Sequence, residues 1–162
     1  MKKLKYIFTI IAFVLGWNLN AQNCSSYIKE NCNMSEEDGY RYNGQSKSAV
    51  FTKGQTSQLK FVSYKGMDYK LTICFDDMFG ENVEFKLIDS KSGEVLFYNV
   101  DYENTNILEF SSDNSRVLLV EVTTPGDQIA STETNNSTIT KKDDKACLAV
   151  LIEQKKTQLT GF

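Results

Sequence analysis

Short segments of alternating polar and apolar residues, separated by glycine turns, constrain the fold of this 162-residue chain more than any other feature. Tyr69, Leu71 and Ile73, for example, share one face of a short segment, and polar residues stand between them. Such period-two alternation is typical of half-buried β-strands. The pattern predicts strands at 46–53, 57–64, 68–75 and 82–89.

Three later segments are nearly continuous apolar runs rich in β-branched residues, which favours strands covered on both faces. These predicted central strands lie at 94–99, 116–122 and 146–152. Glycines between the segments supply the backbone conformations of tight turns. Helix is expected only as a turn or two within 25–31. The sequence therefore predicts an all-β fold, an antiparallel, jelly-roll-like β-sandwich of about eight or nine strands.

The N-terminus has the organisation of a secretory signal peptide. Lys2, Lys3 and Lys5 form a positive start, and an apolar run at 6–17 follows. That run is shorter than the ~20 residues that a membrane-spanning helix needs. We place cleavage after Ala21 and keep an uncut membrane anchor as the alternative. Cys24 lacks the small preceding residue of a lipid-modification site, so it is interpreted as one half of a disulfide.

Cleavage would leave 141 residues, which suits one domain. The expected organisation is a signal peptide at 1–21, a polar lead-in at 22–45, the β-sandwich at 46–153 with a polar loop at 128–144, and a tail at 154–162. Cleavage of the leader would remove three lysines and no acid, so the net charge would change from −3 to −6. An acidic chain without a basic tract is a poor candidate for nucleic acid, because phosphate contacts dominate that affinity.

All four cysteines follow the leader, and export would place them in an oxidising compartment. Four cysteines allow two disulfides with three connectivities. Cys24 and Cys32 are close in sequence, whereas Cys74 ends one predicted strand and Cys147 begins another. The expected pairing is Cys24–Cys32 with Cys74–Cys147.

The chain contains no histidine, which removes most acid–base, nucleophilic and metal-ligand arrangements. No phosphate-binding glycine loop is present either. We therefore predict no catalytic residues and no cofactor. Carboxylates around the 79–80 turn are weak calcium candidates, since calcium takes oxygen ligands. The candidates are Asp76, Asp77 and Glu81, and a solvated acidic turn is the alternative interpretation.

Aromatic residues are the other candidates for binding. Tyr40 and Tyr42 flank Arg41 ahead of a turn, and exposed rings there could stack on a sugar or anchor a protein partner. The alternative is that the rings pack on the sandwich with their hydroxyl groups in water. The only tryptophan, Trp17, would leave with the signal peptide, which weakens a sugar-binding interpretation.

The hydrophobic spacing between residues 46 and 123 resembles the bacterial pre-peptidase C-terminal domain, a small extracellular β-sandwich usually attached to secreted enzymes. The similarity lies in Leu59-Lys60-Phe61, Tyr69-Lys70-Leu71-Thr72-Ile73, Val83-Glu84-Phe85-Lys86-Leu87-Ile88-Asp89, Leu108-Glu109-Phe110 and Val117-Leu118-Leu119-Val120-Glu121-Val122. That family has no shared catalytic residues, so the resemblance implies none here. The leader also resembles those of small secreted Bacteroidetes proteins.

Together these features predict an exported, non-enzymatic binding or accessory domain of the bacterial envelope. The expected partner is an envelope protein or a glycan, and no membrane span is expected after cleavage. The expected location is the periplasm or the outer membrane, with the medium as an alternative. A carbohydrate-binding or carbohydrate-active domain, using Tyr40, Tyr42 and the 76–84 turn, is the alternative function.

Overall fold

The structure, a computed structural model, describes residues 24–35, 38–126 and 144–158. The predicted signal peptide, its cleavage site and nearly all of the predicted polar loop lie outside the described residues. One short α-helix, α1, is described at Tyr27–Asn31, within the predicted range, and two single-turn 3-10 helices lie at Asp77–Phe79 and Asn99–Tyr102. The nine described strands are β1 Arg41–Tyr42, β2 Lys47–Thr52, β3 Thr56–Ser63, β4 Met67–Phe75, β5 Glu84–Asp89, β6 Val95–Tyr98, β7 Ile107–Ser112, β8 Arg116–Thr123 and β9 Lys145–Lys156.

The strands form two antiparallel sheets, which confirms the predicted all-β sandwich. The first sheet has the order β1/β2–β9–β4–β7, and the second has the order β3–β8–β5–β6. The chain crosses between the sheets at six of the eight connections between successive described strands, as in a jelly roll. Strands β1 and β2 pair with successive parts of the same edge of β9. Ser46 links them there, because its hydroxyl and the backbone of Ile152 exchange hydrogen bonds.

The core lies between the inner faces of the two sheets and follows the predicted alternation. Along β8, for instance, Leu118, Val120 and Val122 are buried, while the residues between them are more exposed. Tyr69 is fully buried and packs edge-on against Phe61 and stacked against Phe110. Burial of such apolar surface, worth roughly 25 cal/mol per Å², is the main source of stability.

Strand β9 confirms one of the three predicted central strands. Ala149 and Leu151 face outward from the first sheet, yet both are fully buried because α1 covers them through Ile28. The strand continues to Lys156, three residues past the predicted end of the sandwich. A strand that is apolar on both faces thus has a cover on both faces.

The prediction that 94–99 forms a central strand is wrong. Strand β6 is the edge of the second sheet, and the side chain of Val95 is 51% exposed. Leu96 and Phe97 pack against the core, whereas Val95 lies at a bulge, where the register with β5 shifts between Leu87 and Ile88. Strand β7 is not among the strands predicted from alternation, although Leu108 and Phe110 lie in the segment that resembles the pre-peptidase family.

The predicted disulfide pairing is also wrong. All four cysteines are bridged, but the pairs are Cys24–Cys147 and Cys32–Cys74. The helical turns between Cys24 and Cys32 advance roughly 1.5 Å per residue, which separates the two Cα atoms by more than a disulfide spans. Each cysteine of the lead-in therefore reaches a different strand of the first sheet. We name residues 24–35 the N-terminal strap.

Candidate binding surfaces

The outer face of the first sheet carries a row of polar side chains beside the N-terminal strap. The register places Tyr42 opposite Glu153, and Glu153 opposite Lys70. Lys70 in turn lies opposite Glu109, and its Nζ is 3.4 Å from Glu109 Oε1. Because directly opposed residues point to the same face of a sheet, these four side chains form one line across four strands.

Tyr40, one of the two tyrosines considered as a possible binding surface, is buried beside this row. Only 4% of the residue is exposed, and its hydroxyl lies 3.4 Å from Glu109 Oε2 as a hydrogen-bond donor. Lys155 Nζ lies 4.1 Å from the centre of its ring. Burial and the carboxylate of Glu109 raise the pKa of Tyr40 to about 12. Tyr40 is therefore a packing residue, because its faces are already occupied.

Tyr42 is the half-exposed member of the predicted pair. It lies beside a cavity of about 390 Å³, which is lined by Met34, Gly39, Tyr40, Arg41, Tyr42 and Glu153. Glu153 is 1% exposed, and its Oε1 accepts a 2.7 Å hydrogen bond from the backbone N–H of Ser35. Its Oε2 is buried without a hydrogen-bond partner. Buried polar atoms are nearly always paired, so this oxygen marks the cavity as unusual.

The predicted calcium candidates form a capped turn. The Asp76 side chain accepts a hydrogen bond from the backbone N–H of Met78, and Phe79 anchors the turn in the core. Asp77 and Glu81 are exposed. Across the described ranges, no group of three or more acidic or cysteine side chains could hold a metal ion.

The structure does not bring this turn to the tyrosines. The backbone N–H of Asp76 donates a hydrogen bond to the carbonyl oxygen of Cys147. Tyr42 instead pairs with Glu153, six residues further along β9. At ~3.4 Å per residue the separation is roughly 20 Å. The carbohydrate site expected from Tyr40, Tyr42 and the acidic turn is therefore not assembled as one site.

The second sheet presents a different surface, an apolar patch on its outer face. The register makes Leu119 the neighbour of Ile88, and Ile88 the neighbour of Val95. Val117 lies two residues from Leu119 and opposite Val62. Val95 and Val117 are 51% and 37% exposed, respectively. We call the group Val62, Ile88, Val95, Val117 and Leu119 the sheet-two patch.

Charged and polar residues border the sheet-two patch on one side. Glu121 accepts hydrogen bonds from Gln58 and Lys86, at 2.8 and 3.2 Å, and these bonds lower the pKa of its carboxyl group. Lys60 lies opposite Leu119, is exposed, and has no ion-pair partner among the described residues. An apolar centre with a polar border is typical of protein-binding surfaces.

Sequence reasoning missed both Glu153 and the sheet-two patch. Glu153 follows the apolar run of β9 and looks like an ordinary polar strand end. The patch depends on register, because Val62, Ile88 and Val117 come from three separate strands. Alternation does indicate that these residues face away from the core, and that signal could have identified them as outward-facing apolar residues.

Within the part of the chain that the structure describes, no helix is long and apolar enough to cross a membrane. Comparison with protein-family models and with curated proteins finds no match. Among solved structures, the chain is similar to Aeromonas hydrophila PliG, a periplasmic lysozyme inhibitor of g-type lysozyme. The two share 12% identity over 73% of this chain and 90% of that chain, with a TM-score of 0.47. We assign no function from this likeness.

Proposed function

We propose that the protein is an exported, non-enzymatic binding or accessory protein of the bacterial envelope, and that the sheet-two patch is the surface that binds its partner. The observation that carries the proposal is the contrast between the sheets. In the first sheet the N-terminal strap covers the outward-facing apolar residues Ala149 and Leu151, whereas the second sheet exposes adjacent apolar side chains from four strands. Contiguous apolar patches on a soluble domain commonly mark interaction sites.

The residues of the sheet-two patch and its border indicate the kind of partner that it binds. The patch lies on the outer face of a β-sheet and joins side chains from four strands, a surface that suits a protein partner better than a small molecule. Lys60 beside Leu119 is available to a carboxylate. The partner is therefore an envelope protein with an apolar surface and an acidic side chain opposite Lys60.

The proposals that the protein is exported and that it is not an enzyme rest on the sequence alone. The leader pattern and four cysteines support an oxidising compartment, and the absence of histidine supports a non-enzymatic role. The resemblance to the pre-peptidase family remains a prediction and agrees with an accessory role.

The test is a cross-linking pull-down of the tagged protein from intact cells, with a patch variant and a matched control. Val117→Lys should reduce recovery of the partner at least tenfold, because a charge enters the centre of an apolar contact. Ile107→Lys changes a similarly exposed residue (41%) on the other sheet and should leave recovery unchanged. Equal recovery with both variants, or robust hydrolytic turnover by the purified protein, would contradict the proposal.

A further inference from the structure

The carboxylate of Glu153, on the first sheet, is an unusual feature that the proposed function does not use. It is almost completely buried and accepts one hydrogen bond, through Oε1, from Ser35. Oε2 has no hydrogen-bond partner, and no ion pair joins Glu153 to another described residue. Burial of a carboxylate without a compensating charge is strongly unfavourable, so such a group needs a reason to be present.

The nearest lysines do not neutralise the charge of the Glu153 carboxylate. Lys70 is opposite Glu153 in the register, yet its Nζ forms its ion pair with Glu109. Lys155 lies two residues further along β9, but its Nζ sits over the ring of Tyr40 and 3.4 Å from the carbonyl oxygen of Asp38. Arg41 precedes Tyr42 in β1 and also lines the cavity, but it forms no ion pair with Glu153 among the described residues.

The surroundings of Glu153 suit a small cationic group. The residue lines the cavity of about 390 Å³, and Tyr42, its cross-strand neighbour, is 50% exposed there. An aromatic face next to a carboxylate adds cation–π attraction to the charge interaction. Met34 supplies an apolar wall for an alkyl chain.

We propose that this cavity binds a protonated amine, whose ammonium group donates a hydrogen bond to Glu153 Oε2 and lies against Tyr42. One free acceptor oxygen favours an ammonium group, a compact point charge, over a guanidinium group, which prefers two parallel hydrogen bonds. A neutral hydroxyl would supply a hydrogen bond but no compensating charge. This site goes beyond the proposed function, because it lies on the opposite sheet from the sheet-two patch.

The test is a titration of the isotope-labelled full chain, followed by NMR at constant ionic strength. Butylammonium chloride should give saturable shifts at Ser35, Tyr42 and Glu153, and 1-butanol should not. Two further arms, 1,4-diaminobutane and an N-acetyl-lysine amide, distinguish a free amine from a lysine side chain by their relative affinity. Both should bind at the same residues.

Variants assign the site. Glu153→Gln keeps the shape and removes the charge, so it should weaken butylammonium binding at least tenfold. Tyr42→Leu should weaken it severalfold. Glu121→Gln removes an acid from the other sheet, and Val117→Lys alters the sheet-two patch, so neither should change the affinity.

Three results would overturn the proposal. They are equal shifts with 1-butanol, unchanged binding by Glu153→Gln, and shifts at these residues with N-acetylglucosamine but not with the amines. The amine titration is independent of the pull-down, because each uses variants on a different sheet. Failure of one is therefore distinguishable from failure of the other.

Discussion

Single buried polar side chains hold connections between strands in this sandwich. Asn99 is completely buried, and its Oδ1 accepts a 2.8 Å hydrogen bond from the backbone N–H of Phe85. Its Nδ2 donates to the carbonyl oxygens of Val83 and Thr105, at 3.0 and 3.2 Å. One side chain thus fixes the start of β5 to the turn after β6. A buried group that loses its partner carries the full cost of its lost hydration.

Asn99→Ala should therefore lower the free energy of unfolding by about 3 kcal/mol, because it leaves several buried backbone groups unpaired. Urea denaturation measures the change. Asn114→Ala, at an exposed loop position, is the control and should stay within about 0.5 kcal/mol of the parent protein. A loss for Asn99→Ala as small as that of the control would show that the buried network contributes little.

Tyr40 allows a prediction about pH. Its pKa is raised from 10.0 to about 12, because burial and the nearby carboxylate of Glu109 disfavour the phenolate. The unfolded chain ionises first, so this stabilisation is complete below pH 10 and is lost as the pH rises towards 12. Ultraviolet titration should show that Tyr40→Phe removes a component near pH 12. Removal of a component near pH 10 would mean that the ring is accessible to solvent.

At the scale of elements, the N-terminal strap and β9 depend on each other. The outward-facing apolar residues of β9 need the cover that α1 provides, and the two disulfides hold that cover in place. The apolar run of β9 could be predicted from the sequence as buried on both faces. Its cover could not, because the strap is polar apart from residues such as Ile28 and its docking depends on non-local cysteine pairing.

Removing the disulfides should destabilise the protein by amounts that follow their sequence separations. These are 123 residues for Cys24–Cys147 and 42 for Cys32–Cys74. The chain-entropy model gives about 5 and about 4 kcal/mol, respectively. Double serine variants, compared by urea denaturation, check the values. Equal losses within error would contradict the entropic order.

Peptide mapping of the non-reduced protein tests the connectivity itself. The digest should contain a peptide pair joining Cys24 to Cys147 and another joining Cys32 to Cys74. A peptide that links Cys24 to Cys32 would contradict the position of the strap, since the helical turns between these residues keep them apart.

At the scale of the whole molecule, the sandwich has two outer faces with different chemistry. Alternation in the sequence is enough to predict most strands and the residues of the core, because side-chain period and burial are local properties. Strand order, register and cover are not local. Val62, Val117 and Ile88 become neighbours, and Glu153 becomes buried, only after distant segments pair. The proposed binding surfaces are therefore the part of the structure that could not be predicted from the sequence.

The most direct measurement of the central claim is site-specific photo-cross-linking in intact cells. A photoreactive phenylalanine analogue is placed at Val117 in one variant and at Ile107 in another, since these residues are similarly exposed on opposite sheets. We predict that position 117 gives a discrete cross-link to an envelope protein and that position 107 gives none. A cross-link at 107 with none at 117 would contradict the assignment of the sheet-two patch as the binding surface.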